Sequence, residues 1–225
     1  MALRLHLPRL AACRLVLASG SPRRRELMES LLSGGGGALE VVPSTFEEDL
    51  DKGKYSAAQY ALATAKAKGT EVVRRLSGEG AGSKPLVVVS ADTVVESPDG
   101  AVLEKPRDAE HATAMMQALS GKWHAVHTGV AVTVVVANGG TLVREFSAEF
   151  HTTTRVKFMD LTDSVIAAYV ATTEPYDKAG GYGIQSAGLG GSMVEAIEGC
   201  FFNVMGFPVN AFCKALVDVC DEAGV

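Results

Sequence analysis

Apolar positions fall along this chain in short runs, separated by stretches whose spacing is helical. Leu15-Val16-Leu17-Ala18 predicts a short buried strand. It leads through Ser19 and Gly20 into a helix with Ser21 as N-cap and Pro22 at the first helical position. Leu27, Met28, Leu31 and Leu32 supply that helix with its apolar face. The glycines Gly34 to Gly37 end it and read as a flexible surface loop. Leu39 to Val42 predict a second strand, followed by an acidic loop with Glu47, Glu48 and Asp49. Ser56 to Leu76 is alanine-rich and helical, with Leu62, Ala65, Val72, Val73 and Leu76 inward, and a Gly/Ser/Pro loop follows over 77–85. Leu86-Val87-Val88-Val89 has the continuous β-branched character of a central strand buried on both faces.

Further along, Ser97-Pro98-Asp99-Gly100 is a turn signal that pairs Val94–Val95 with Val102–Leu103 as a hairpin. Asp108 caps a helix that carries Met115, Met116 and Leu119 inward and stops at Gly121. Two long strands over 123–137 and 141–158 join at Asn138-Gly139. Thr162 opens a short helix to about Ala171. A glycine-dense loop, a strand near Ser192 to Ile197 and a last helix from Pro208 to about Cys220 complete the chain. Helices alternate with strands while hairpins intervene, so the pattern predicts an α/β fold with a mixed, twisted sheet flanked by helices. No repeat or linker divides the chain, and the expectation is a single domain over 1–225.

Composition changes this picture in four places. At 225 residues and 47% hydrophobic content the chain can bury one sizeable core, and no run of about 20 apolar residues suggests a membrane span. The net charge of -5 argues against a protein that grips nucleic acid through a general basic surface, so any polyanion must meet a local positive cluster. Cys13, Cys200, Cys213 and Cys220 show neither CxxC spacing nor a compact framework and read as reduced thiols of a cytoplasmic protein. The first fifteen residues hold Arg4, Arg9 and Arg14 and no acid, which is similar to an organelle presequence. Pro8 argues against an amphipathic helix there, and residues 1–13 read as an N-terminal extension.

The positive cluster is Arg23-Arg24-Arg25, in the first turn of the helix that Ser21 and Pro22 open. A helix N-terminus already carries partial positive charge and unpaired N–H groups, so three arginines there are unfavourable unless a polyanion completes them. A triphosphate would do so through the helix N-terminus, serine hydroxyls and bidentate guanidinium contacts; otherwise the arginines are simply solvated. Asp92 follows the buried strand in Ser90-Ala91-Asp92-Thr93; it either caps neighbouring amides or meets a cation or metal. Glu48 is a solvated charge of the acidic loop, or it converges with Asp92 beside the phosphates, where two carboxylates would hold magnesium. Lys66 and Lys105 are surface lysines or phosphate ligands that spread positive charge over the leaving group. The Glu174 to Gln185 loop is a plain connection or lets backbone approach a base. His124 and His127 lack companion ligands for zinc, and there is no Walker A, GxGxxG or GxSxG sequence.

Taken in order, Ser19-Gly20-Ser21-Pro22-Arg23-Arg24, Phe46-Glu47-Glu48, Ala65-Lys66-Ala67, Ala91-Asp92-Thr93, Glu104-Lys105-Pro106-Arg107, Leu119-Ser120-Gly121 and Asp177-Lys178-Ala179-Gly180 through Gln185 resemble the Maf family of nucleotide pyrophosphatases. The resemblance spans roughly residues 14 to 220. It implies a mixed sheet with two lobes around a cleft, related to the inosine triphosphatase fold, and cleavage of a nucleoside triphosphate to monophosphate and pyrophosphate. It further implies Ser19, Arg23, Arg24, Lys66, Lys105 and Gln185 as substrate ligands. Glu48 and Asp92 are implied as catalytic carboxylates and as ligands of a divalent cation, Mg2+ or Mn2+. The Asp177 to Gln185 segment is similar to the branch acting on dTTP and UTP and unlike the branch acting on 7-methyl-GTP. The Gly34 to Gly37 run and the segment near 77–85 depart from the family and read as surface changes. A regulatory nucleotide-binding protein of cell division is the alternative. A homodimer is compatible with the sequence, whereas stable nucleic-acid or membrane binding is not expected.

Overall fold

The structure, a computed structural model, describes residues 2–78, 84–138 and 141–225. Its helices are α1 (Ala2–Ala11), α2 (Pro22–Leu32), α3 (Ala57–Gly78), α4 (Ala109–Leu119), α5 (Asp163–Val170), α6 (Phe201–Val204) and α7 (Val209–Ala223). Its strands are β1 (Arg14–Leu17), β2 (Leu39–Val41), β3 (Leu86–Glu96), β4 (Val102–Leu103), β5 (Trp123–Asn138), β6 (Thr141–Phe158) and β7 (Val194–Glu198). All seven strands form one sheet in the order β2-β1-β3-β5-β6-β7, with β4 paired to β3. The β2–β1–β3 part is parallel and the β3–β5–β6–β7 part antiparallel, so the sheet is mixed, as the alternation of elements predicts.

Strand β3 organises the molecule. Its first half buries Val87, Val89 and Ala91 against the core formed with α1, α2 and α7, while Leu86 and Val88 turn to the α3 face. Its second half sends Val95 into a separate core with α4, α5 and Tyr182, and Val94 toward Tyr60. Two lobes thus share one strand, and Asp92 and Thr93 lie where one core gives way to the next. The same stretch has an open edge. Strand β1 pairs with Leu86 to Val89 and β4 only with Val95 and Glu96, so among the described residues no strand flanks Ser90 to Val94 on that side. Both β1 and β4 run toward the gap. The chain leaving β1 delivers Ser19 to Ser21 into it, and the chain leaving β4 delivers Glu104 and Lys105.

On the opposite face α3 lies flat on the sheet through small residues. Ala61, Ala65 and Val72 are fully buried, the Ser90 hydroxyl donates to the Ala65 carbonyl at 2.7 Å, and a Cβ on Gly69 would come within 2.6 Å of Ser90 Oγ. Gly129 on β5, opposite Asp92 in the ladder, is needed because a Cβ there would overlap the Leu62 backbone.

Three sequence expectations need correction. The strand that begins at Leu86 does not end before Asp92 but continues to Glu96, because its later polar residues alternate between two packed faces. Residues 2–11 form a helix despite Pro8, with Leu3, Leu7 and Leu10 buried in the α7 core at helical spacing. Pro8 and Arg4 are both exposed, so the carbonyl that loses its partner faces water. Within the glycine run, Gly34, Gly35 and Gly37 are exposed as a surface loop is expected to be, but Gly36 is buried, and a Cβ there would come within 2.7 Å of Leu32 and 3.0 Å of Leu7, so this one residue lets α2 approach α1. Two expectations lie partly outside the described residues, namely the tip of the 77–85 loop and Gly139 in the β5–β6 turn, although the flanking pair Asn138 and Thr141 is in register.

Candidate active site

The gap beside β3 is a cleft of about 660 Å³. Its floor is the turn from β1 into α2. Ser21 caps α2, its hydroxyl oxygen accepting the Arg24 N–H at 3.5 Å, and Pro22 fills the first helical position. The three arginines then part company. Arg25 pairs with Glu29 at 2.8 Å one turn along the exposed surface and leaves the cleft. Arg23 reaches across the cleft to Asp177 at 2.9 Å. Arg24 turns inward, its guanidinium donating to Gly206 O at 2.9 Å, Ser19 Oγ at 3.1 Å and Thr93 Oγ1 at 2.9 Å. Burial pulls the pKa of Arg24 down, and Asp92 opposes that shift. Arg24 therefore ties the α2 turn, β3 and the loop before α7 together. Ser19 Oγ accepts from Arg24 and from the Ser21 N–H, which leaves its own proton for a ligand.

The carboxylates meet on the α3 side. Asp92 is only 7% exposed, and its Oδ1 accepts from Lys68 Nζ at 2.8 Å. The same ammonium lies 2.7 Å from Glu48 Oε1, in the exposed acidic loop. Burial pushes the Asp92 carboxyl above the ordinary carboxylate range, while Lys68 and Arg24 pull it back. Glu48 and Asp92 thus converge as expected, but the lysine between them is Lys68. Lys66 is a correction: it points the other way and pairs with Glu149 on β6 at 2.9 Å. Two residues along a helix turn the side chain by about 200°, so Lys66 and Lys68 cannot serve the same face.

The far wall comes from the segment after β4 and the glycine-rich loop. Lys105 lines the cleft and makes no ion pair among the described residues. Gln185, Gly183, Tyr182, Lys178 and Asp177 complete that wall. Behind it Tyr182 shares a 2.8 Å hydrogen bond with His124, whose pKa burial lowers to about 4, so this histidine is neutral packing. His127 is likewise occupied, by Glu96 and Thr153, each at 2.9 Å. Among the described residues no three His, Cys, Asp or Glu side chains form a ready metal cage.

The cleft lining holds Arg23, Arg24, Lys68, Lys105 and Lys178 against Glu48, Asp92, Glu104 and Asp177. An acidic chain thus brings several of its cations to one cavity, interleaved with four carboxylates. Fold and cleft together define the class: a mixed α/β protein with a cleft lined by arginine and lysine and backed by a carboxylate pair. The chain belongs to the Maf family; the family model described as Maf-like protein matches residues 14–219. It is 47% identical over 205 residues to a human protein named "Probable bifunctional dTTP/UTP pyrophosphatase/methyltransferase protein", covering 91% of this chain and 32% of that one. It therefore spans about a third of the length of that relative. It is 40% identical over 203 residues to the dTTP/UTP pyrophosphatase of Clostridium perfringens strain 13, covering 90% of this chain and 95% of the relative. A solved HAM1 protein from Coxiella burnetii aligns over 65% of this chain and 73% of its own, at 15% identity and a TM-score of 0.37.

Proposed function

We propose that this chain is a nucleoside triphosphate pyrophosphatase that hydrolyses dTTP and UTP to the monophosphate and pyrophosphate. The observation that carries the reading is the buried Asp92 beside Glu48, both turned to one cation at the edge of a cleft lined by arginine and lysine. The relatives named as dTTP/UTP pyrophosphatases support the substrate.

Arg23, Lys105 and the Ser19 hydroxyl bind the triphosphate, while Arg24 shapes the floor they stand on. Asp92 takes a proton from the attacking water, and the raised affinity of its carboxyl for a proton suits it to that task. The water oxygen bonds to the α-phosphorus as the α–β bridging bond breaks, and pyrophosphate leaves with the electron pair among the cleft cations. Lys68 holds Asp92 in place and balances its charge until then. Glu48 and Asp92 would hold Mg2+ or Mn2+; their oxygens already converge on a single cation, and such metals are commonly bound through one or two carboxylates plus substrate phosphates. When bound, the metal neutralises phosphate charge. The ligand is a free nucleotide, and the unpaired thiols of all four cysteines suit a cytoplasmic setting.

Turnover of dTTP or UTP in 18O-water tests this. Pyrophosphate should be the main product, with the label in the monophosphate, since attack falls on the α-phosphorus. Orthophosphate plus diphosphate, or label in pyrophosphate, would overturn it.

A further inference from the structure

One acid of the cleft has no part in the reaction. Glu48 and Asp92 share Lys68, and Glu104 takes Lys52 at 2.7 Å. Asp177 takes two cations at once: its Oδ2 accepts from Arg23 at 2.9 Å, and its Oδ1 accepts from Lys178. Burial alone would raise this carboxyl, but the hydrogen bonds from Lys178 and Arg23 outweigh it and hold it below the ordinary carboxylate range. Asp177 is therefore an anion at neutral pH.

Its two cations come from opposite sides. Arg23 stands on α2, whose apolar face belongs to the core shared with α1 and α7. Lys178 sits between Tyr176 and Ala179, which pack on the core of α4 and α5. The segment that carries Lys178 is fixed there. Gly180 donates its N–H to Glu104 O at 3.1 Å, and a Cβ on it would come within 2.7 Å of Val95. The Lys178 ammonium also donates to Glu174 O at 2.8 Å, which leaves one of its three protons unspent. For Arg23 the bond to Asp177 is the only side-chain hydrogen bond among the described residues. All three side chains line the cleft, and that of Asp177 is 57% exposed. Two carboxylate oxygens thus stand on two cations as two phosphate oxygens would.

We propose that Asp177 is an internal stand-in for the substrate, holding Arg23 and Lys178 until the triphosphate displaces it, and that Lys178 is a further phosphate ligand. The inference rests on the pyrophosphatase function proposed above. Were Asp177 instead to stay and orient Arg23, its carboxylate would face the phosphates inside the cleft. Like charges there repel, and a half-exposed ion pair is a weak means of orienting a guanidinium. Exchange of one anion for another avoids both. A triphosphate carries more charge than a carboxylate, and the released Asp177 reaches water by rotating an exposed side chain. The cations are never left facing each other unpaired, and Asp177 weakens every ligand of this subsite, products included.

Calorimetry in one magnesium buffer tests this, with a UTP analogue whose α–β bridging oxygen is replaced by a methylene group. Asp177→Asn keeps the shape and removes the charge, so its dissociation constant should fall by about three- to tenfold relative to wild type. Asp177→Glu keeps the charge and should bind as wild type does. Lys178→Ala should bind more weakly, and the gain from Asp177→Asn should shrink when it is added to Arg23→Ala. The dissociation constant comes from the shape of the titration, so a misfolded fraction alters the stoichiometry and not the result. Equal or weaker binding by Asp177→Asn, the same gain in Asp177→Glu, or wild-type affinity in Lys178→Ala would overturn the assignment. Binding is read without turnover. Wild-type enzyme that binds the analogue yet releases no pyrophosphate from UTP would instead overturn the function proposed above.

Discussion

One ammonium group serves two acids at the centre of the cleft. Lys68 is mostly buried, and so is Asp92, so removing the lysine strands a buried carboxylate; breaking such a pair typically costs about 3–5 kcal/mol. Lys68→Ala should therefore lower kcat/KM by about 100-fold or more and reduce Tm as well. Lys66→Ala breaks only the pair with Glu149, in which the lysine is 58% exposed, and such surface pairs are worth about 0–1 kcal/mol. Steady-state rates for the two variants side by side check the assignment; equal losses would refute it. The sequence contained the means to separate these lysines. Ala65 and Val72 define an inward stripe, and the helical repeat places residues 68 and 69 on it and residue 66 off it. The Ala65-Lys66-Ala67 pattern of the family resemblance names Lys66, which lies off that stripe. The cleft positions of Arg23, Arg24 and Asp92 were legible because each sits at a chain position with its own signal, a helix start for the arginines and the end of a buried apolar run for Asp92, whereas Glu48, Lys105 and Gln185 were named only through the family resemblance. The fate of Arg24 was not legible, since the carbonyl it satisfies belongs to Gly206, remote in sequence.

Elements declare themselves where local chemistry decides and hide where distant packing does. The caps of α2, α4 and α5 at Ser21, Asp108 and Thr162 were readable because a cap depends on a few neighbouring residues. The far end of β3 and helix α1 were not, because both depend on partners elsewhere: β5 continues β3 past its apolar run, and α7 receives the leucines of α1. The close contact of α3 with β5 at Gly129 is of the second kind, and it seats the helix whose Lys68 lies 2.8 Å from Asp92 Oδ1. Gly129→Ala forces a methyl into the Leu62 backbone, an overpacking that costs about 1–3 kcal/mol, and it must lift α3. Tm should fall, and kcat/KM per folded molecule should fall with it. Gly188→Ala, whose Cβ meets nothing within 4 Å, is the control and should alter neither. Full activity per folded Gly129→Ala molecule would show that the seating of α3 does not govern the site.

At the scale of the whole molecule, burying Asp92 among the cations of the cleft has a consequence for global stability. Its carboxyl is held above the ordinary carboxylate range by burial, with Lys68 and Arg24 acting in the opposite direction. A folded-state value above the unfolded one means that the folded chain holds that proton more tightly. Stability from this group is present at low pH and lost as pH rises through the raised value. Exposed acids behave in the opposite sense: Glu40, lowered by the hydrogen bond from Arg14, stabilises the fold above the ordinary carboxylate range and loses that contribution in acid. Such terms are common to wild type and Asp92→Asn and cancel in the difference between them. The variant lacks only the Asp92 proton. Its Tm minus that of wild type should therefore become more positive from about pH 4 to about pH 7, while its turnover falls by at least about 100-fold. Thermal melts across that range, with rates on the same preparations, measure both. A difference that shrinks with rising pH would mean that Lys68 and Arg24 outweigh burial and that Asp92 sits in the fold as a stabilising ion. Its availability as a base would then have to come from the bound nucleotide drawing those cations away.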